Sequence, residues 1–279
     1  MNVRSLPCGK GGTSGISAAA KEAPLVLSIV VPVYNEGHTI GKVVDELLSA
    51  AEVAAVSVEL IVVDDGSTDG TPEAVAALPG PIRAIRNPKR MGSGRARDIG
   101  SREAVGEWIA WIDGDGTYKA SDLFRMLRHA GDSDQVVGVR AVDYGRFRLM
   151  RSLVKRFNCC CVSVLWGRRI PDLNSGLRLF RRGSLMEILD ELPNGFSCTS
   201  TATLAALNRG HIVAELPIDY RSRPEGCLSK FHPVFDTFRL WRVIIRQRLR
   251  RGRLRQERLA RASNRPFLSA SPSGVAAEK

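Results

Sequence analysis

The stretch Trp108-Ile109-Ala110-Trp111-Ile112-Asp113-Gly114-Asp115-Gly116-Thr117 sets the reading of the whole chain. Its apolar run is too short for a packed helix and reads as a buried strand, which stops at two carboxylates separated by one glycine. A strand tip of this kind suits a cation. Mg²⁺ and Mn²⁺ take oxygen ligands and keep several positions for water and substrate phosphates, so one or two carboxylates beside a diphosphate are enough. Asp-x-Asp by itself is common in solvated turns, so the rest of the chain has to supply the context.

Working outward, Leu25 to Val33 is β-rich and closes with Pro32-Val33-Tyr34-Asn35-Glu36, after which Ile40, Val43, Val44, Leu47 and Leu48 recur at helical spacing. Val58 to Val63 is a second strand, Asp64-Asp65-Gly66-Ser67-Thr68-Asp69 a polar turn, and a helix begins near Pro72. Ile82 to Ile85 is a third strand, and the basic, glycine-bearing loop Asn87 to Arg95 enters a helix that runs to about Val105. With the Trp108 strand this makes four strand–helix repeats, which predict an α/β fold with a parallel, helix-covered sheet. Ligands of such sheets bind beyond the carboxyl ends of the strands, so loops 34–37, 64–69, 87–95 and 113–117 are expected on one rim. Farther on, Gln135 to Val139 reads as a strand leading into Arg140 and residues 146–166 as a basic, apolar helix. Leu177 to Phe180 and His211 to Ile218 are expected strands around a helix near 197–209.

A chain of 279 residues is long enough for one large domain with extra segments. Residues 1–24 are rich in Gly, Ala and Ser and read as a disordered leader, 25–230 as the catalytic domain, 231–250 as an amphipathic helix and 251–279 as a basic disordered tail. Six cysteines without a Cys-x-x-Cys pair, and four scattered histidines, argue for reduced thiols in a cytosolic setting and against zinc. No apolar run approaches the roughly 20 residues of a membrane-spanning helix, and the N-terminus lacks the order of a signal peptide.

The formal net charge is +12, and its location matters more than its size. From Arg239 to Arg265 eleven arginines stand against Glu257 alone, a surplus of ten. Phe235, Phe238, Trp241, Ile245 and Leu249 recur among them every three or four positions. An anionic membrane surface is the first reading of this helix and packing on its own domain the second, and one helix could do both. Nucleic acid is not an expected partner, because no recognition module accompanies the charge.

Pro-Val-Tyr-Asn-Glu (32–36), Asp-Asp-Gly-Ser-Thr-Asp (64–69) and Asp-Gly-Asp (113–115), in this order, resemble the family-two glycosyltransferases of the GT-A fold. Asp172-Leu-Asn-Ser-Gly-Leu-Arg-Leu-Phe-Arg-Arg182, Asn194-Gly-Phe-Ser197 and Arg223-Pro-Glu-Gly-Cys-Leu-Ser-Lys230 resemble the dolichol-phosphate-mannose-synthase-like branch, over roughly residues 25–245. The resemblance implies that Pro32, Tyr34 and Glu36 wall a nucleotide pocket and that Asp64 or Asp65 contacts base or ribose. It further implies that Asp113 and Asp115 hold Mg²⁺ or Mn²⁺ on the diphosphate, and it places Asp172 among the catalytic residues. Thr117 stands where relatives often have Gln, and no direct metal role is expected of it. Arg95, with the loop from Arg90, is either a diphosphate contact or part of a solvated face. Asp65 is read toward the nucleotide and Ser67 or Asp69 toward capping the next helix.

One absence bears on the acceptor. Attack by a sugar hydroxyl needs a general base, and Ser197-Cys-Thr-Ser-Thr-Ala-Thr-Leu204, where many sugar-acceptor relatives carry a carboxylate, has none. A phosphate monoester has a second pKa of about 6 and is already nucleophilic at neutral pH. What it needs is a cationic cradle, for which Arg140, Arg223, Ser229 and Lys230 supply suitable donors. The expectation is an inverting, metal-dependent transferase that moves a sugar from a UDP- or GDP-sugar to a polyprenyl phosphate, peripherally on the cytoplasmic face of a membrane. A soluble sugar or small phosphorylated acceptor, and a non-catalytic nucleotide-binding protein, are the other readings.

Overall fold

The computed structural model describes residues 27–80, 82–140, 148–195, 197–222 and 233–263. Seven strands form one sheet in the order β3-β2-β1-β4-β6-β5-β7. In chain order they are β1 (Leu27–Val33), β2 (Val58–Asp64), β3 (Ile82–Arg86), β4 (Trp108–Trp111), β5 (Gln135–Arg140), β6 (Arg178–Arg181) and β7 (Val213–Ile218). The four predicted repeats are present and β1 to β4 are mutually parallel. β6 runs antiparallel to both β4 and β5, and β7 is parallel to β5. The carboxyl ends of β1, β2, β3, β4, β5 and β7 and the amino end of β6 therefore share one rim, which puts Arg140 and the Asp172 loop on the same edge as Asp113.

β1 is buried at every position because it lies between β2 and β4 and is covered on both faces. Its side chains alternate: Leu27, Ile29, Val31 and Val33 join one apolar cluster, Val30 the other. The first cluster takes in α1 (Ile40–Ala54) and α4 (Ala120–Arg128); the second takes in α3 (Ser93–Glu103), α6 (Arg182–Leu189) and α7 (Cys198–Arg209), while the short α2 (Thr71–Ala76) follows the β2 turn. Strand β3, at the edge, carries Arg83 and Arg86 among its exposed positions, the usual protection of an unpaired edge.

A further layer lies beyond α7. Cys159, Val162 and Trp166 of α5 (Arg148–Trp166), Leu204 of α7, and Leu240 and Ile244 of α8 (Pro233–Ser263) form a third apolar cluster. Asn208 of α7 donates to the Gln247 carbonyl (2.9 Å) and to Oε1 (3.0 Å), so α8 is tied to the domain by a buried polar contact as well. Two expectations change here. The C-terminal helix does not stop at Arg250 but continues through Ser263. Its inward stripe is Leu240, Ile244 and Gln247, with Trp241 turned to α5, where its indole donates to Asn158 (3.1 Å). The side chain of Phe235 and residues 1–24 lie outside the described residues.

Candidate functional site

Beyond β4 the chain turns through Asp113 to Thr117. Thr39 Oγ1 donates to the Gly114 carbonyl (2.8 Å), and a Cβ on Gly114 would sit 2.6 Å from Val33, so the turn is pressed against the β1 loop. Each carboxylate has one oxygen fixed from within the fold. Asp115 Oδ1 accepts from Thr117 Oγ1 (2.6 Å) and Thr117 N (3.2 Å), and both residues are buried. Asp113 Oδ1 accepts from Arg97 of α3 (2.5 Å), while Asp113 Oδ2 faces Gly176, where a Cβ would come within 2.2 Å. Thr117, with no metal role expected of it, is thus the residue that orients Asp115.

Arg97, and not Arg95, is the α3 side chain that reaches Asp113. Arg95 pairs with Asp98 on its own helix. The signal for Arg97 was there: it sits with Gly94, Ala96, Gly100 and Ser101 on the buried face of α3, and a buried arginine needs a partner. The amino end of α3 is closed by the chain itself, since Gly94 N (2.7 Å) and Arg95 N (3.1 Å) both donate to the Asn194 carbonyl.

The β1 and β2 loops are clamped together. Asn35, in a left-handed conformation at φ 53°, donates through its backbone to Ser67 Oγ (3.0 Å) and accepts at Oδ1 from Thr68 N (2.9 Å). Tyr34 lies under the Arg90 guanidinium, 4.4 Å from its ring centre. Glu36 caps the turn into α1, its carbonyl accepting from Thr39 N and Ile40 N. Pro32 is inside β1, buried and paired with Val63 of β2. Asp65 takes three donors, Asn87 Nδ2 (3.0 Å), Met91 N (2.8 Å) and Gly92 N (2.7 Å), and is buried. These three bonds fold loop 87–92 over the rim. Asp64 accepts from Ser67 N (2.9 Å) and faces Arg86 at 3.3 Å, and Asp69 accepts from Thr71 N (3.0 Å) at the start of α2.

On the other side of Asp113 stands a charged cluster. Arg140 binds Asp172 in a bidentate fork, Nε to Oδ2 (2.8 Å) and Nη2 to Oδ1 (2.9 Å), and Lys155 of α5 reaches the same carboxylate (3.1 Å). Burial would raise the Asp172 carboxyl, but the charges of Arg140 and then Lys155 outweigh it and hold it well below the usual carboxylate range. Asp172 has no exposed side-chain surface, so it positions the two cations and does not touch a substrate, a correction to its expected catalytic role. Arg140 also lies 5.2 Å from the ring centre of Tyr220. Lys155 was not singled out in the sequence, because only the fold brings α5 to the 172 loop.

The loop itself is anchored by Arg178, fully buried, which donates to the Ser175 carbonyl (2.9 Å), the Leu173 carbonyl (2.8 Å) and Thr203 Oγ1 (2.5 Å). Burial pushes its guanidinium down to about 10. The residues of α7 turned toward this loop are hydroxyls, Ser200 on Asn174 and Thr203 on Arg178, with no carboxylate among them. The Cys198 thiol is buried and pushed up to about 11, an inert packing residue. Arg223, Ser229 and Lys230 lie outside the described residues.

Two pre-oriented carboxylates at a parallel-sheet rim, Asp115 buried and Asp113 partly exposed, offer hard oxygen donors, which fit Mg²⁺ or Mn²⁺ completing its shell with diphosphate and water. The model of glycosyl transferase family 2 matches residues 28–189, more than half of the chain and all of the rim from β1 to β6. The protein is a family 2 glycosyltransferase. This glycosyltransferase is 28% identical over 221 residues to glycosyltransferase AglJ of Haloferax volcanii, covering 76% of this chain and 69% of that one. It is 30% identical over 212 residues to dolichyl-phosphate beta-glucosyltransferase ALG5C of Trichomonas vaginalis, covering 69% of this chain and 63% of that one. It spans only 52% of another relative, the hexosyltransferase Agl6 of H. volcanii. Among solved structures, glucosyl-3-phosphoglycerate synthase of Mycobacterium tuberculosis, in complex with Mn²⁺, UDP and glucosyl-3-phosphoglycerate, superposes with a TM-score of 0.60 at 21% identity. The match covers 81% of this chain and 79% of that one. At that identity the likeness of the glycosyltransferase to this structure is one of fold, the GT-A α/β architecture.

Proposed function

We propose that the enzyme transfers a sugar from a UDP- or GDP-sugar to a polyprenyl phosphate with inversion at the anomeric carbon. The observation that carries this reading is the pair of cations, Arg140 and Lys155, assembled around buried Asp172 on the same rim as Asp113 and Asp115. A buried carboxylate with two cations is a costly arrangement that the fold maintains on this rim. Relatives named as dolichyl-phosphate glucosyltransferases support the acceptor class.

Asp113 and Asp115 would hold Mg²⁺ or Mn²⁺, which when bound acts as Lewis acid on the diphosphate leaving group. Arg97 and Thr117 keep the two carboxylates in orientation, so little reorganisation accompanies the reaction. Tyr34, Glu36, Asp64 and the loop shaped by Asp65 form the nucleotide side. Arg140 and Lys155, with Arg223, Ser229 and Lys230, hold the acceptor phosphate opposite the leaving group. The phosphate oxygen attacks the anomeric carbon as the bond to the diphosphate oxygen breaks, and no proton has to be removed. The hydroxyl-lined face of α7 is in keeping with a reaction that needs no protein base.

A small phosphorylated acceptor is the second reading, favoured by solved structures that contain phosphoglyceric acid. Nucleotide sugars incubated with Mn²⁺ or Mg²⁺ and a short, water-soluble polyprenyl phosphate test both. Lipid-linked product is expected; transfer to phosphoglycerate or free sugars with none to the lipid phosphate would replace the first reading with the second. Metal-independent nucleotide binding without release of nucleoside diphosphate would leave neither.

A further inference from the structure

We propose that the outer faces of α5 and α8 together form one docking surface for an anionic lipid bilayer. Its purpose, though not its evidence, rests on the lipid-linked acceptor proposed above.

Among the described residues, the two helices pack over α7 on the side away from the sheet. Their inner faces are spent on the same cluster, Cys159, Val162 and Trp166 from one and Leu240 and Ile244 from the other, and Trp241 and Arg251 bridge them through Asn158 and the Leu165 carbonyl. Each helix turns its opposite face away from that cluster. On α5 that side carries Leu153, Phe157 and Val164, 64%, 63% and 77% exposed, at spacings of four and seven residues that repeat on one face. On α8 it carries Phe238, Ile245 and Leu249, 70%, 56% and 65% exposed, at spacings of seven and four. Among the described residues, ten large apolar side chains are exposed, and six of them are these. Two apolar stripes on adjoining helices mark a contact site, where isolated residues would need no explanation.

Charge selects the occupant. Arg239, Arg242, Arg246 and Arg253 line an open groove of about 980 Å³ together with Ile245 and Leu249 of the α8 stripe, and it also borders Ser197 and Arg250. Neither α5, from Arg148 to Trp166, nor the stretch Thr237 to Gln256 of α8 contains an acidic residue. Arginines flanking Phe, Leu and Ile match headgroup phosphates above acyl chains, with the aliphatic stems adding to the apolar area. Nucleic acid would engage the arginines but leave both apolar stripes in water. A second copy, docked by two-fold symmetry on this face, would bring arginine ladders together with no carboxylates to offset them. The placement also has a purpose. The chain enters α5 through residues 141–147 just after Arg140, and enters α8 just after the Arg223–Lys230 segment. Docking the two helices would therefore set the acceptor side of the rim toward the bilayer.

The test is sedimentation of the full chain with phosphatidylcholine vesicles containing increasing phosphatidylglycerol, for wild type, Leu153→Ser with Phe157→Ser on α5, Phe238→Ser with Ile245→Ser on α8, and Arg242→Gln with Arg246→Gln. Wild-type binding is expected to rise with anionic lipid. Each apolar pair should lower it by about tenfold or more, and the arginine pair should flatten its dependence on anionic lipid. Thermal unfolding and transfer to a short, water-soluble acceptor should stay at wild-type values in all three, so a failed acceptor assay would count against the proposed function and not against the surface. Vesicle binding that ignores the α5 pair overturns the two-helix surface, as does wild type that fails to sediment. Variants that instead turn a dimer into a monomer in sedimentation velocity would assign the face to a second copy.

Discussion

At the residue scale, the site depends on side chains that never meet a substrate. Thr117 donates to Asp115 (2.6 Å), and a hydrogen bond to a charged group is worth about 1.5–3 kcal/mol. Thr117→Val is expected to raise the Mn²⁺ concentration for half-maximal activity by roughly tenfold, while Asp115→Asn abolishes turnover and leaves the melting temperature nearly unchanged. Metal titrations of both, beside wild type in EDTA, check this; full activity in chelator would remove the metal from the mechanism. Asp172 makes a separate prediction. Its folded carboxyl lies below the ordinary value of 3.8, so the unfolded chain binds more protons and stability rises with pH across that interval. The contribution is present above about pH 4 and lost as pH falls below it. Asp172→Asn should therefore flatten the acid limb of a melting-temperature series, and Asp172→Ala, which strands two buried cations, should cost about 3–5 kcal/mol at neutral pH.

At the element scale, α8 has two apolar stripes with different consequences. Leu240 and Ile244 are buried on α5 and α7, and replacing either by Ala should cost about 2–5 kcal/mol. Phe238→Ser, on the exposed stripe, should stay within about 0.5 kcal/mol. Chemical denaturation of the three variants separates the faces. Deleting the chain after Arg239 would uncover the cluster of Val162, Trp166 and Leu204, and the truncated protein should aggregate or melt earlier rather than remain a folded soluble domain. The α3 entrance is equally constrained. A Cβ on Gly94 would lie 2.1 Å from the Pro193 carbonyl oxygen, so Gly94→Ala should displace loop 87–95 and weaken UDP binding, read by calorimetry.

At the scale of the whole molecule, donor and metal should act as one ligand. UDP with Mn²⁺ at about a hundredfold over its dissociation constant should stabilise the fold by about 2.7 kcal/mol, and the thermal shift should shrink on chelation. A shift equal with and without metal would mean that Asp113 and Asp115 do not sit on the diphosphate. The same rim carries the charged cluster of Arg140, Lys155 and Asp172 as well as Asp113 and Asp115 because β5 and β4 point the same way with antiparallel β6 between them.

By itself the sequence determined the strand–helix repeats, the convergence of the four polar loops and the two candidate metal carboxylates, because apolar period and turn chemistry are local properties that a strand tip shows directly. It also carried the family, through motifs spaced along the chain. Only the tertiary structure decided that Arg97 and not Arg95 reaches Asp113, that Asp65 folds a loop, that Asp172 gathers Arg140 with Lys155, and which stripe of α8 is buried. These are contacts between residues 16 to 32 positions apart, or between helices on a shared core, and a partner across the fold leaves no period in the chain. A helix with apolar residues on two faces shows in sequence that both are apolar; which one meets protein depends on the neighbour that the fold supplies.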